Sequence, residues 1–217
     1  MISKYQVWSR TLERNIINVL SRATEADRTD GIKWYRQAHN DARTLARVHG
    51  ITVAKACGVI AALSPGNEFG RNVLEASDVI GAYVAGQPLP VVGVYGKRNI
   101  DKCRMILDGK KPSVVLSRET APKTHSFYRL INDPTNAYFV CIDRHAKGVA
   151  ENVRGNRNTI VRSFQYDWYA WHYRVIARRF DMLPCELQAV VWLRWRKDSS
   201  NPRTPKDIGA GQWEGGA

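Results

Sequence analysis

Two residues of this chain combine a side chain suited to bond-making chemistry with a setting that tunes it: Lys123 and Asp143. Thr120-Ala121-Pro122-Lys123 reads as a helix start, with Thr120 as the cap and Pro122 at the first helical position, where its missing N–H costs nothing. Lys123 then falls in the first turn. The positive end of a helix dipole disfavours an ammonium, and a free amine is what nucleophilic attack requires. A solvated loop lysine is the plain alternative. Asp143 follows the apolar stretch Ala137–Ile142 and precedes Arg144-His145-Ala146-Lys147, so its simplest role is a helix N-cap. A carboxylate in that place has a second use, stabilising positive charge that develops on a sugar or orienting an attacking amine or water. The roles are compatible, because a capping carboxylate still has one oxygen to present.

Other chemistries are poorly supplied. Cys57, Cys103, Cys141 and Cys185 stand far apart with no C-x-x-C pair, and three of them sit in apolar patterns. That suits buried free thiols better than zinc or an iron–sulfur cluster. His39, His49, His125, His145 and His172 form no H-x-x-x-H pair and have no carboxylate at ligand spacing, so neither a metal nor any other cofactor is expected. There is no Walker A loop, G-x-G-x-x-G or nucleophile elbow, which disfavours nucleotide hydrolysis, dinucleotide redox and α/β-hydrolase chemistry.

The elements that must position Lys123 and Asp143 are helices. Tyr5, Trp8, Leu12, Ile16, Val19 and Leu20 recur at steps of three and four; a second helix, capped by Thr29-Asp30, carries Trp34 to Ala46 and ends at Gly50. Thr52 opens a third, strongly apolar helix that stops at the turn Ser64-Pro65-Gly66-Asn67. Further helices follow from Phe69 to Tyr83, around Ile100–Leu107, after Pro122, after Asp143, and at Trp168–Phe180 and Leu187–Trp195. The tryptophans and tyrosines mostly fall on these apolar stripes and read as core. The expected fold is all-α, a single two-lobed helical domain over residues 1–197 with a cleft between the lobes, followed by a Pro/Gly/Ser-rich flexible tail over 198–217.

Charge points to the partner. Thirty-three Lys and Arg against 20 Asp and Glu leave a net charge of +13 on 217 residues. A polyanion suits that surface, because each neutralised phosphate releases counterions. A membrane-surface protein, or simply a basic soluble enzyme, is the alternative. Nothing at Met1–Arg10 resembles a signal peptide and no apolar run reaches membrane-spanning length, so a cytoplasmic location without membrane association is expected. Lys97-Arg98 and Arg154–Arg157 are candidate phosphate contacts, a solvated basic face being the alternative.

Lys123 and Asp143, twenty residues apart, together with Ile60-Ala61-Ala62-Leu63-Ser64-Pro65-Gly66-Asn67-Glu68-Phe69-Gly70-Arg71-Asn72-Val73, resemble the helix-hairpin-helix DNA glycosylase superfamily over about residues 52–152. That resemblance implies an enzyme on double-stranded DNA that flips a modified or damaged base out of the stack. Lys123 would attack the sugar C1′ and form a Schiff base after base loss, and Asp143 would support the oxocarbenium-like transition state. Asn67 and Arg71 would approach the gap left by the base. Backbone N–H groups around Thr120 would hold a phosphate, with Arg118, Arg144 and His145 as further DNA contacts. The family's hairpin is glycine-rich, whereas Leu116-Ser117-Arg118-Glu119-Thr120-Ala121 has no glycine, and the cluster cysteines of some members are absent. These departures suggest a divergent branch of the kind found in bacteriophages, where relatives of this fold have been proposed to rework thymine modifications. Two alternatives therefore stand beside glycosylase/lyase chemistry: a transferase or pyrophosphorylase acting on hypermodified bases, and a non-catalytic DNA-binding protein.

Overall fold

The computed structural model describes residues 4–154, 161 and 163–198, and among these the chain is helical with no strand. The helices are α1 (Lys4–Ser21), α2 (Glu25–His49), α3 (Val53–Leu63), α4 (Phe69–Val84), α5 (Gly96–Leu107), α6 (Pro112–Val115), α7 (Pro122–Asn132), α8 (Arg144–Glu151), α9 (Ser163–Arg179) and α10 (Pro184–Asp198). The all-α expectation holds. No single helix among the described residues is long and apolar enough to cross a membrane. The basic loop beyond Arg154 and the segment after Asp198 lie outside the described residues.

The chain divides into two compact units, one within Met1–Tyr35 and Thr135–Arg203, the other within Arg36–Pro134, so the boundary falls inside α2. Residues 52–152 are thus shared between the two units.

In the second unit α3 is the central element, with α4, α5, α6 and α7 packed around it. Its sequence explains the position. Ala56 to Leu63 are all buried, and a helix apolar on every side has no solvent face to offer. Thr52 caps it, its hydroxyl accepting the Lys55 N–H at 3.3 Å. Gly58 lets α6 approach: a Cβ there would come within 2.9 Å of the Pro112 ring.

The first unit packs α1, α8, α9 and α10 around Leu12, Ile16, Ile142, Val149, Tyr173, Val190 and Trp195. Here α2 begins earlier than its sequence suggests. Thr29 and Asp30 lie inside it, and the cap is Thr24, whose hydroxyl accepts the Asp27 N–H at 3.2 Å while the Asp27 carboxylate accepts the Thr24 N–H at 3.0 Å. Asp27 is fully buried and also takes the Lys197 ammonium at 2.6 Å and the Arg194 guanidinium at 3.6 Å. Two cations from α10 thereby fix the first turn of α2.

The aromatic residues divide. Tyr166, Tyr169 and Tyr173 are buried, as their stripe suggests, but Trp8 and Trp171 are nearly half exposed, at 45% and 46%. Trp171 stands two residues before Tyr173 and so projects to nearly the opposite side of α9. Arg154, a candidate phosphate contact, is exposed and also packs within the chain. Its guanidinium lies 3.7 Å from the centre of the Trp195 ring and donates to the Trp195 carbonyl at 3.1 Å.

Candidate functional site

In the second unit, Lys123 is the second residue of α7, in the first turn as expected. Thr120 is not its cap. Ala121 takes that position with φ −145° and no side-chain bond, while Thr120 lies exposed in the preceding turn. That turn closes on itself, with the Ala121 N–H on the Ser117 carbonyl at 2.9 Å and the Glu119 N–H on the Ser117 hydroxyl at 3.2 Å. No residue between Leu116 and Ala121 has a positive φ, so this path needs no glycine.

Two histidines, neither singled out from sequence, hold α7 at its ends. The His125 Nδ1–H donates to the Leu116 carbonyl at 2.8 Å, fastening the turn to the helix that bears Lys123. The His39 Nδ1–H donates to the Ile131 carbonyl at 2.8 Å, and the Cys57 thiol reaches the same carbonyl at 3.5 Å. Burial holds the His125 imidazole below its ordinary value of 6.5, with Arg129 and Arg118 acting the same way against the bond to Leu116. Burial likewise lowers His172, in the first unit, against the pull of Glu13.

A pH dependence follows. Well above about pH 6.5 both histidines are neutral whether the chain is folded or unfolded, and they add no slope. Below it the unfolded chain binds protons that the folded chain refuses, so stability falls until the native values are passed. Thermal unfolding between about pH 7.5 and 5.5 should show this decline, and His125→Gln should make it shallower; a profile that Gln leaves unchanged would contradict the assignment.

The turn after α3 brings Asn67 and Arg71 onto a third residue that sequence reasoning missed. Glu75, on α4, is buried and accepts from Asn67 Nδ2 at 2.7 Å and from Arg71 Nε at 2.7 Å. The Arg71 side chain stays 71% exposed, so its outer nitrogens face solvent. Asn67 is instead held back by the carboxylate. The signal for Glu75 was present in the sequence as an acid four residues after Arg71, among the buried Asn72, Ala76 and Val79. Lys97 and Arg98 are exposed on the first turn of α5, and Arg118 is exposed in the turn before α7.

Asp143 belongs to the first unit and is the N-cap of α8, as expected. Its Oδ1 accepts the His145 N–H at 3.0 Å and the Ala146 N–H at 2.8 Å. Both bonds end on Oδ1, so the cap leaves Oδ2 unused. Buried tyrosines frame this cap. Tyr166 donates to the Val140 carbonyl at 2.6 Å and accepts the Ile142 N–H at 3.0 Å, fixing the extended stretch that delivers Asp143. Tyr173 donates to the Ala146 carbonyl at 2.9 Å, and Tyr35 to Gln188 at 2.8 Å. Burial pushes the Tyr35 and Tyr173 phenols well above their ordinary range, and the Asp143 charge adds to it. Arg144 is exposed beside the cap and its Nε donates to His145 Nε2 at 3.3 Å.

Among the described residues no group of three His, Cys, Asp or Glu is placed to hold a metal ion. All four cysteines are buried free thiols, and burial pushes Cys57 and Cys103 up to about 12, far from the thiolate that ligation or attack needs.

Residues 1–199 match a family of unknown function. No curated protein and no solved structure matches the chain.

Proposed function

The chain belongs to that family, DUF7178, and for this member we propose a DNA-binding enzyme of the glycosylase/lyase type, with Lys123 as nucleophile and Asp143 as the candidate charge-stabilising carboxylate. The observation that carries the reading is the division of labour at Asp143. Oδ1 satisfies the two amides of α8 and Oδ2 stays outside the cap, so the carboxylate serves the fold and keeps an oxygen for chemistry. The buried Tyr166 and Tyr173 hold that geometry without using the carboxylate.

In this reading the Lys123 amine attacks C1′ of a flipped nucleotide as the base departs, and Asp143 stabilises the positive charge that develops on the sugar. The sugar ring opens to leave a Schiff base on Lys123, which permits strand nicking and is finally hydrolysed. Arg71, Lys97, Arg98, Arg118, Arg144 and His145 are the DNA contacts. The net charge of +13 supports a polyanionic partner.

The test is base release, read by mass spectrometry, from duplexes carrying oxidised, deaminated or hypermodified thymine bases. The reading expects free base from one substrate class and none with Lys123→Gln. A base that changes mass but stays attached to DNA would indicate transferase or pyrophosphorylase chemistry. Salt-sensitive binding without turnover, unaltered in Lys123→Gln, would indicate a binding protein.

A further inference from the structure

The aromatic residues on the outside of the first unit form a ladder. The rings of Trp8 on α1 and Trp168 on α9 stack with centroids 6.2 Å apart at 23°, and Trp168 stacks with Trp171 at 6.3 Å and 20°. His172, fully buried, braces the ladder edge-on, 4.8 Å from Trp168 and 4.7 Å from Trp171. It is itself held between the Ser9 hydroxyl and the Glu13 carboxylate, each at 3.3 Å. The middle rung is set by ring packing alone, since Trp168 Nε1 is buried and has no hydrogen-bond partner. The two outer rungs, Trp8 and Trp171, stay nearly half exposed.

A soluble core has no use for three stacked indoles at its edge with the outer two in water. What the stripe continues into is charge. Trp168, Trp171, Val175, Arg178 and Arg179 follow one another on α9 at steps of three, four, three and one, which keeps them on one face. Arg178 and Arg179 are exposed, and Arg179 pairs with Glu13 at 2.9 Å. From Trp168 to Arg178 the rise is about 15 Å, the reach of a few nucleotides. Two exposed carboxylates lie near in sequence, Asp167 one residue before Trp168 and Asp181 three after Arg178.

We propose that the Trp8–Trp168–Trp171 ladder binds single-stranded nucleic acid, with unpaired bases stacking on the two outer indoles and the backbone phosphates meeting Arg178 and Arg179. Flat, exposed, braced rings beside guanidinium groups meet the two needs of strand binding: a π-face that every base can use, and cations that release counterions. A second copy of the chain is the other occupant an exposed indole could attract, and the net charge of +13 opposes that pairing. The ladder lies apart in sequence from Lys123, and strand binding does not require base excision, so either function can fail without the other.

The experiment is fluorescence anisotropy of the full-length chain with a labelled oligothymidylate of about 12 nucleotides, with a duplex of the same length beside it. Trp8→Ala and Trp171→Ala act at exposed positions, and circular dichroism verifies that each folds. Each is expected to weaken oligothymidylate binding about tenfold and to change duplex binding little. Arg178→Gln is expected to reduce the salt dependence of binding by about one counterion. Equal binding of oligothymidylate by wild type and both tryptophan variants would overturn the proposal. So would sedimentation showing a dimer that Trp171→Ala dissociates, which would make the ladder an interface between copies.

Discussion

Asp143→Asn is expected to leave the fold intact and to lower turnover on the reactive duplex about 10²–10³-fold, the scale of losing one preorganised charge at a reacting centre. The substitution separates the observed cap from the proposed electrostatic role. Asparagine caps a helix as well as aspartate does, and its carbonyl oxygen can take the place of Oδ1 opposite the His145 and Ala146 amides. The extended stretch before it is fixed by Tyr166, which the change does not touch. What disappears is the negative charge. Asp143→Ala removes the cap as well and should cost about 1 kcal/mol of stability on top of the lost activity. Turnover measured beside thermal unfolding tells the roles apart. Full activity in the asparagine variant would leave Asp143 a cap and nothing more.

Gly31→Ala is expected to be the most damaging small substitution in the first unit, destabilising it by about 3 kcal/mol. On α2 this glycine lies against α10, where an added Cβ would meet the Val190 Cα and backbone nitrogen at 2.6 Å. A flexible side chain could swing away from such a contact, but backbone cannot. Relief would require α2 to shift, and that shift would pull Asp27 from the Lys197 and Arg194 that hold it. Gly70→Ala is the control. Nothing lies within 4 Å of a Cβ there and the residue is helical, so it should be neutral or stabilise by about 0.5 kcal/mol. Urea midpoints of the two variants check both values, and equal midpoints would contradict the packing account.

The parts of this fold that could be read from sequence were those set by local rules. Apolar period located the longer helices though not the four-residue α6, Thr52 capped α3, and an aspartate after an apolar stretch capped α8. What escaped was the choice among local candidates of the same residue type. Thr29-Asp30 looked like a helix start by residue type, but the Thr24–Asp27 capping pair five residues upstream is the one the fold uses, and Lys197, some 170 residues on, anchors it. Thr120 looked like the cap of α7 by residue type, yet the turn before it is closed by Ser117 and the cap is an alanine.

The site was legible to the same degree. Lys123 and Asp143 lie where their spacing to Pro122 and Ile142 suggested, in a first turn and at an N-cap. The residues that hold them did not announce themselves. His125 and His39 act by donating to backbone carbonyls, which requires no recognisable spacing. Tyr166 and Tyr173 read as core and are core; that their hydroxyls frame Asp143 follows only from where α9 packs. Glu75 could have been found as an acid on an apolar stripe, the one sequence signal that a buried carboxylate leaves. The tryptophan ladder shows the converse, since Trp8 lies on a stripe read as core and yet is nearly half exposed.

The central claim, an amine nucleophile at Lys123, is tested most directly by borohydride trapping on a panel of labelled duplexes. The panel carries an abasic site, oxidised and deaminated bases, and hypermodified thymines, with wild type beside Lys123→Gln. The account predicts a covalent protein–DNA complex on at least one duplex, absent in the variant, with the modified peptide containing Lys123. Trapping that persists in Lys123→Gln, or no trapping on any duplex while DNA binding is intact, would contradict it.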